Sequence, residues 1–427
     1  MTDQSHGCDD YEFAMRRSFL RMAGRAAALG ALSAPAWLPK LAFAVDEDSQ
    51  RDVIIQIFLR GGADGLTMCV PFAETEYYNV RSTIAVPAPD SMETKKAIDL
   101  DGFFGLPPAL ADLKTFWDAG ELAVIHATGF PFADRSHFRS MDLIEYGRPD
   151  VVVMPTGWLG RHLASRGSAP NRILGMTPHE RLPIALHGAP DTVAVPDIDT
   201  FGLEGNWLSP TSRPPFLANV YNNADVALKV AAEATTQSLD LIDQLKIGYT
   251  GPANGASYPN SAFGRGMETI ARMIKGDVGL EAACIDIDGW DFHAQQLPLT
   301  GGMFYLMSDL NAGLLAFRED LGAAFANVTI VVMSEFGRRV AQNGSNGTDH
   351  GTGGAMFVLG GHVNGGQVFT DWPGLYSNQL YEMIDLPITI DARDVLAEIL
   401  QKRAGASDLA GIFPGYSATF HDVVSAT

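Results

Sequence analysis

Val53-Ile54-Ile55-Gln56-Ile57-Phe58-Leu59, followed at once by Arg60-Gly61-Gly62-Ala63-Asp64-Gly65, sets the reading of the whole chain. A strand wetted on one face alternates apolar and polar residues, whereas a nearly unbroken apolar run belongs to a strand covered on both faces. Four more runs of this kind follow: Leu122–Ala127, Glu281–Ile287, Val328–Met333 and Ala355–Leu359. Between them lie helical patterns at Pro107–Trp117, His137–Tyr146, about Ala218–Leu245, Phe263–Ile274, Met303–Phe325 and Arg393–Arg403. Strands alternating with helices predict an α/β fold, a mostly parallel sheet with helices on both faces.

The composition agrees with a folded globular protein. Of 427 residues 46% are hydrophobic and 19% charged, and the formal charge is −20. Such an acidic chain lacks the basic footprint of a nucleic-acid binder and is poorly suited to anionic lipid.

The chain opens with an export pattern. Arg16-Arg17-Ser18-Phe19-Leu20 precedes a mildly apolar stretch that ends at Ala42-Phe43-Ala44. Twin arginines, a weak apolar region and a small-x-small ending read as a Tat signal (residues 1–44), cleaved after Ala44. The expected partner during export is the Tat translocase, and the expected location is periplasmic or secreted. Arg21, Arg25 and Pro35 interrupt the stretch, which argues against a permanent membrane anchor. Cys8 leaves with the signal, and Cys69 and Cys284 sit beside apolar runs, as buried small residues do.

Residues 45–427 read as a single domain. Its stretch at about 150–260 is rich in Pro, Gly and Asp, with short strand-like pieces at Ile184–His187 and Thr192–Val195. We expect it to be an insertion or cap over the site.

In doubly wound sheets ligands bind beyond the carboxyl ends of the strands. Asp64 follows the first run, Arg135-Ser136-His137 the second, Asp291-Phe292-His293 the third and Glu335 with Arg338-Arg339 the fourth. Asp349-His350 immediately precedes the fifth, in a Gly-rich segment. Carboxylates and imidazoles gathered at one rim are the ligands of a divalent cation such as Zn, Ca, Mg or Mn. Each residue also has a plainer reading. Asp64 could form a turn and cap a helix, Ser136 could be the N-cap of the helix starting at His137, and Glu335 could pair with Arg338 or Arg339. Asp291 and His293 could form a surface turn, although Trp290 and Phe292 interleave with them and put both polar groups on one face of an extended chain. His137 is expected to line the site, pointing away on its helix, without binding metal.

Other chemistries find no motif. The sequence has no Gly-x-x-x-x-Gly-Lys-Ser/Thr and no Gly-x-Ser-x-Gly. Asp286-x-Asp288-Gly-x-Asp291 is a poor calcium loop, because Leu297 stands where the closing Glu belongs.

The twin-arginine start, Leu59–Leu66, Arg135-Ser136-His137-Phe138, Gly157-Trp158-Leu159-Gly160-Arg161, Gly289–His293, Ser334–Arg339, Gly347–Gly351 and Asp371-Trp372-Pro373-Gly374-Leu375 together resemble the family labelled domain of unknown function 1501. The resemblance runs over nearly all of residues 14–405. That family in turn resembles the alkaline phosphatase and sulfatase superfamily. The resemblance implies metal ligands at Asp64, Asp291, His293, Glu335 and His350, with Asp349 beside them, and a nucleophile at Ser136. Two features depart from the superfamily. Glu335-Phe336 stands where Asp followed by His is usual, which leaves a second metal site short of a ligand, and Asp291 and His293 are more closely spaced. Gly105-Leu106-Pro107-Pro108 also replaces the family's usual Gly-Leu-His-Pro.

Two functions follow as expectations. One is a secreted metal-dependent hydrolase of phosphate or sulfate esters acting on a small anionic substrate, with Ser136 or a water as nucleophile and Arg135 or Arg338 steadying the developing charge. The other is a non-catalytic extracytoplasmic protein of the same fold that binds a metal or a partner protein.

Overall fold

In the computed structural model of the chain, the run Val53–Leu59 forms an interior strand, β1. The structure describes residues 52–131, 134–149, 155–167, 172–202, 219–221, 229, 239–247 and 249–426, all within the compact unit Trp37–Thr427. The export pattern at 1–44 lies outside the described residues. Each of the other apolar runs is also a strand: β2 (Leu122–Gly129), β5 (Ala282–Ile287), β6 (Val328–Ser334) and β7 (Gly354–Gly360). Shorter strands β3 (Gly175–Thr177), β4 (Thr192–Ala194), β8 (Gln367–Phe369) and β9 (Ile390–Asp391) complete the sheet.

The strand order is β8-β2-β7-β6-β1-β5-β3-β4, with β9 also paired to β2. β1 runs parallel to β5, with Leu59 opposite Ile287, and parallel to β6, with Leu59 opposite Ser334. Among these strands β7 alone runs against its neighbours, β2 and β6. The sheet is therefore mixed but mostly parallel.

The side-chain alternation of β1 explains its unbroken apolar run. Ile55, Ile57 and Leu59 enter one core, with Met267 and Ile270 of α3 (Ala262–Lys275) and Leu310 and Leu314 of α4 (Gly302–Leu321). Ile54 and Phe58 enter the other, with Leu159 and Leu163 of α2 (Trp158–Ser165) and Val395 and Leu396 of α5 (Ala392–Arg403). A strand buried between two helical layers has no face left for polar groups. Gln56 is the exception in this run, and its Oε1 accepts a hydrogen bond from Trp158 Nε1 at 3.1 Å. Burying each such Ile, Leu or Phe contributes about 1.5–3 kcal/mol. Cys69 and Cys284 are buried thiols.

Within the region expected as an insertion or cap, two described strands join the sheet. β3 pairs with β5, and β4 pairs with β3, so both strands lengthen one edge. Ile184–Leu186, which the sequence presents as strand-like, forms a single 3-10 turn after Pro183. The remainder of 150–260 falls largely outside the described residues. Among the described residues no helix is long and apolar enough to cross a membrane.

Candidate metal centre

The sheet delivers five segments to one rim. β1 leads into Arg60–Gly62, β5 into Asp288–His293, and β6 into Glu335–Arg339. Because β7 is reversed, the segment before it, Thr348–Gly353, arrives at the same rim. The loop after β2 leads to α1 (His137–Tyr146), whose first residue is His137. Two glycines let these backbones meet. Gly61 has φ +124°, and a Cβ there would lie 2.6 Å from the Asp291 nitrogen. At Gly351 a Cβ would lie 2.4 Å from the Arg338 carbonyl carbon, where Arg338 and His350 form an antiparallel bridge.

Four side chains converge there. His293 Nε2 lies 2.9 Å from His350 Nε2 and 3.1 Å from Asp291 Oδ1, and His350 Nε2 is 3.3 Å from the same oxygen. His137 Nε2 is 3.4 Å from Asp291 Oδ2. This contact lacks hydrogen-bond geometry, so the buried His137 Nε2 has no hydrogen-bond partner. Donor atoms of His137, Asp291 and His350 all fall within 4.8 Å of one another.

The outer nitrogens are anchored on acceptors. His137 Nδ1 donates to Glu335 Oε1 at 2.7 Å, and His350 Nδ1 donates to the Arg135 carbonyl at 2.8 Å. His293 Nδ1 faces Asp349 Oδ1 at 3.4 Å. A carbonyl or carboxylate can only accept, so each ring carries its proton on Nδ1 and, when neutral, turns the Nε2 lone pair inward. Converging lone pairs repel unless a cation lies among them. Acceptors on the far nitrogen are also the usual outer shell of metal-bound histidines.

The donor chemistry fits a borderline divalent ion, zinc being the type case. Bonds of about 2.0–2.1 Å to a tetrahedral ion put ligand atoms about 3.3 Å apart. The triangle of His293, His350 and Asp291 has sides of 2.9, 3.1 and 3.3 Å. His137, Asp291, His293 and His350 would hold the ion.

The local charges are strongly coupled. Burial opposes ionisation of Asp291, but the neighbouring His137 and His350 rings and the Arg338 guanidinium, which donates to it, hold its carboxyl well below the usual range. Burial alone would lower the His137 pKa, yet Asp291 and Glu335 outweigh it and push it up to about 9. A metal ion held by His137 would require that ring to give up its extra proton. Asp349 is held below the usual carboxylate range first by its hydrogen bond from Asn343, against partial burial, and further by His293 and Arg339.

The structure brings together Asp291, His293 and His350 of the expected ligands and places others around them. Glu335 is fully buried, and besides His137 it accepts hydrogen bonds from the Gly61 N–H and Ser334 Oγ. It reaches the centre through the His137 ring. Asp349 does the same through His293. Asp64 stands apart in a buried ion pair with Arg81, and also accepts from Thr67 and Gln296. Burial opposes the charge of Asp64, but the Arg81 guanidinium prevails and keeps its pKa low. With these donors on its carboxylate, Asp64 is an internal counter-ion where the sequence suggests a ligand.

The arginines differ from expectation in the same way. The Arg135 guanidinium pairs with Asp385 and Glu382, and only its carbonyl touches the centre. Arg338 is buried, donating to Asp291 Oδ1 at 2.6 Å and to the carbonyls of Gly61, Gly62 and Thr348. It clamps Asp291 and the Gly61-Gly62 turn and has no side-chain freedom to meet a developing charge. Ser136 is exposed at the start of α1, and its side chain makes no capping hydrogen bond.

His137 is the residue whose role the sequence reading misses. A signal was available, because helical Cα–Cβ bonds tilt towards the N-terminus and a first-turn side chain reaches back over the rim. Phe336 packs its ring against His137 and His350, with centroids 4.9 and 4.8 Å away.

No curated protein matches the chain. Among solved structures it is similar to the PsFucS1 sulfatase from Pseudoalteromonas sp., with 11% identity over 89% of this chain and 75% of that one and a TM-score of 0.39. It is also similar to Ps i-CgsB in complex with k-i-k-neocarrahexaose, with 12% identity over 86% and 74% and a TM-score of 0.37. A protein in the alkaline phosphatase superfamily from Vibrio parahaemolyticus matches at 11% identity over 88% and 72%, with a TM-score of 0.35. Residues 221–411, the stretch that holds Asp291, His293, Glu335, Asp349 and His350, match the model of the family described as Protein of unknown function (DUF1501).

Proposed function

We propose that the chain is an exported metal-dependent hydrolase of phosphate or sulfate esters. The observation that carries this reading is the set of three imidazoles anchored on acceptors at Nδ1, with their Nε2 atoms turned towards Asp291. A divalent ion held there supplies positive charge against the ester oxygens and acidifies a neighbouring hydroxyl or water.

The chain's own residues supply the rest. Glu335 and the Arg135 carbonyl fix the rings of His137 and His350, and Arg338 fixes the Asp291 carboxylate. Ser136 is the N-cap of α1, a helix end that favours an anion, and its hydroxyl is uncommitted to capping. It is the proposed nucleophile. In the net reaction water adds across the P–O or S–O bond: its oxygen goes to phosphorus or sulfur, and a proton leaves with the alcohol.

A second reading, a non-catalytic metal-binding protein, is favoured by the donor count. His137, Asp291 and His350 form one mutually close set and His293 lies against two of them, and a fourth protein donor is what closes a structural zinc site. Metal content measured on protein purified without chelators, followed by a screen of aryl phosphates, diesters and sulfates, separates the two. Bound metal with turnover supports the hydrolase. Bound metal without turnover on any ester supports the structural site, and absence of metal removes both.

A further inference from the structure

A cavity of about 360 Å³ lies beside the metal centre, between the strip 339–343 and the segment 375–384. Both walls continue into the outer contacts of the metal-facing histidines. Asp349 lines the cavity and faces His293 Nδ1. Asp385, at the end of the opposite segment, grips the Arg135 side chain, whose residue holds His350 through its carbonyl.

The lining is largely aliphatic: Val80, Val340, Leu375, Leu380, Met383 and Ile384. Most polar side chains on the wall are already used. Asn343 donates to the His293 carbonyl and to Asp349, Gln342 Oε1 accepts from Thr83, and Glu76 accepts from Asn79. Arg339 is different. Among the described residues its only ion pair is a long one, Nη1 to Asp349 Oδ2 at 3.6 Å, and its buried Nε has no hydrogen-bond partner. Such a wall suits an apolar group with one anion at its edge and has few donors left for a polyol.

The rim carries a second, independent mark. Glu382 and Met383 are consecutive non-glycine residues with φ +52° and +62°. Paired backbone hydrogen bonds between Tyr381 and Asp385 hold this turn. The segment leaves Met383 71%, Tyr376 53% and Tyr381 52% exposed. Left-handed backbone at two L-residues and a cluster of exposed large apolar side chains are features that persist at binding surfaces.

We infer that this cavity seats the apolar, aryl-type alcohol portion of the ester, with Arg339 reaching the ester's anionic oxygens from the cavity edge. The inference rests on the hydrolase reading for the reaction, but binding of the alcohol itself does not require turnover.

The test uses the full chain with 2-naphthol, and with the naphthyl and glyceryl esters of phosphate and sulfate. Met383→Glu and Leu380→Ser both change residues that line the cavity, and Met383 is exposed enough for its variant to fold. Calorimetry should find 2-naphthol binding in wild type and at least about tenfold weaker binding in both variants. The kcat/KM for the naphthyl ester should fall by the same factor, with the glyceryl ester unaffected. Naphthol binding that is absent, or equal in wild type and both variants, overturns the inference. Weakened naphthol binding with no ester cleaved keeps the cavity as an apolar site and removes the hydrolase reading. Cleavage without aryl preference keeps the hydrolase and removes the cavity's role.

Discussion

The Nε2 atoms of His293 and His350 lie 2.9 Å apart, each within 3.3 Å of Asp291 Oδ1. Two ring nitrogens this close require a proton or a metal ion between them. The metal alternative predicts that elemental analysis finds a divalent ion in wild type and little in His350→Ala. At about 100-fold excess of ion over Kd, chelation should remove about 2.7 kcal/mol of stability. Metal missing from both proteins would leave the proton as the answer.

Glu335 should act on metal binding through His137. It holds Nδ1 of that ring and touches the Gly61 N–H and Ser334 Oγ. Removing an acceptor of this kind weakens metal affinity by about 10–100-fold. Glu335→Ala should show that loss in competition with a chromogenic chelator, and Glu335→Gln, which keeps an acceptor oxygen, a smaller one. Equal affinities in all three proteins would confine Glu335 to packing.

Ser136→Ala separates nucleophile from cap. The side chain makes no capping hydrogen bond and is exposed, so its loss should change stability by less than about 0.5 kcal/mol. Esterase activity should disappear. A variant with an unchanged rate would exclude Ser136 from the chemistry.

His126 provides a pH dependence away from the metal centre. It is fully buried, Nε2 donating to the Cys69 carbonyl at 3.0 Å and Nδ1 accepting from the Ala127 N–H at 2.8 Å. Burial lowers its pKa from 6.5 to about 4. Between those values the unfolded chain binds more protons than the folded one, so this contribution is intact above pH 6.5 and is lost as pH falls to 4. The loss amounts to about 3 kcal/mol. Urea unfolding of wild type and His126→Gln at several pH values should show their stability difference shrinking across that window. Parallel curves would contradict the assignment.

Export is tested separately, since residues 1–44 lie outside the described structure. Replacing Arg16 and Arg17 by lysine should leave uncleaved precursor in the cytoplasm. Unchanged mature protein outside, with an N-terminus other than Val45, would refute both the signal and its cleavage site.

The sequence by itself determined the long apolar strands and the helix at His137–Tyr146, though not Ile184–Leu186, which reads as strand-like and forms a 3-10 turn. Val53–Leu59 could be read because a strand between two helical layers must be apolar on both faces, a constraint local to seven residues. His137–Tyr146 could be read with both ends because its periodicity is local and Gly147, at φ +65°, stops it. Asp291, His293 and His350 were legible as candidates because few other residue types in the chain suit a divalent ion. Their assembly was a tertiary matter. His350 reaches the rim only because β7 runs backwards, and strand direction depends on partners distant in sequence. Asp64 is withdrawn by Arg81, whose guanidinium also binds the Arg339 and Val340 carbonyls, a fit no pattern around Asp64 records. Glu335 became the support of His137, and Arg338 a buried clamp, because each met its partners only when β1, β5 and β6 were laid side by side. Residue type and spacing fix which groups can bind an ion, but the direction in which each side chain points is set by contacts that exist only in the folded chain.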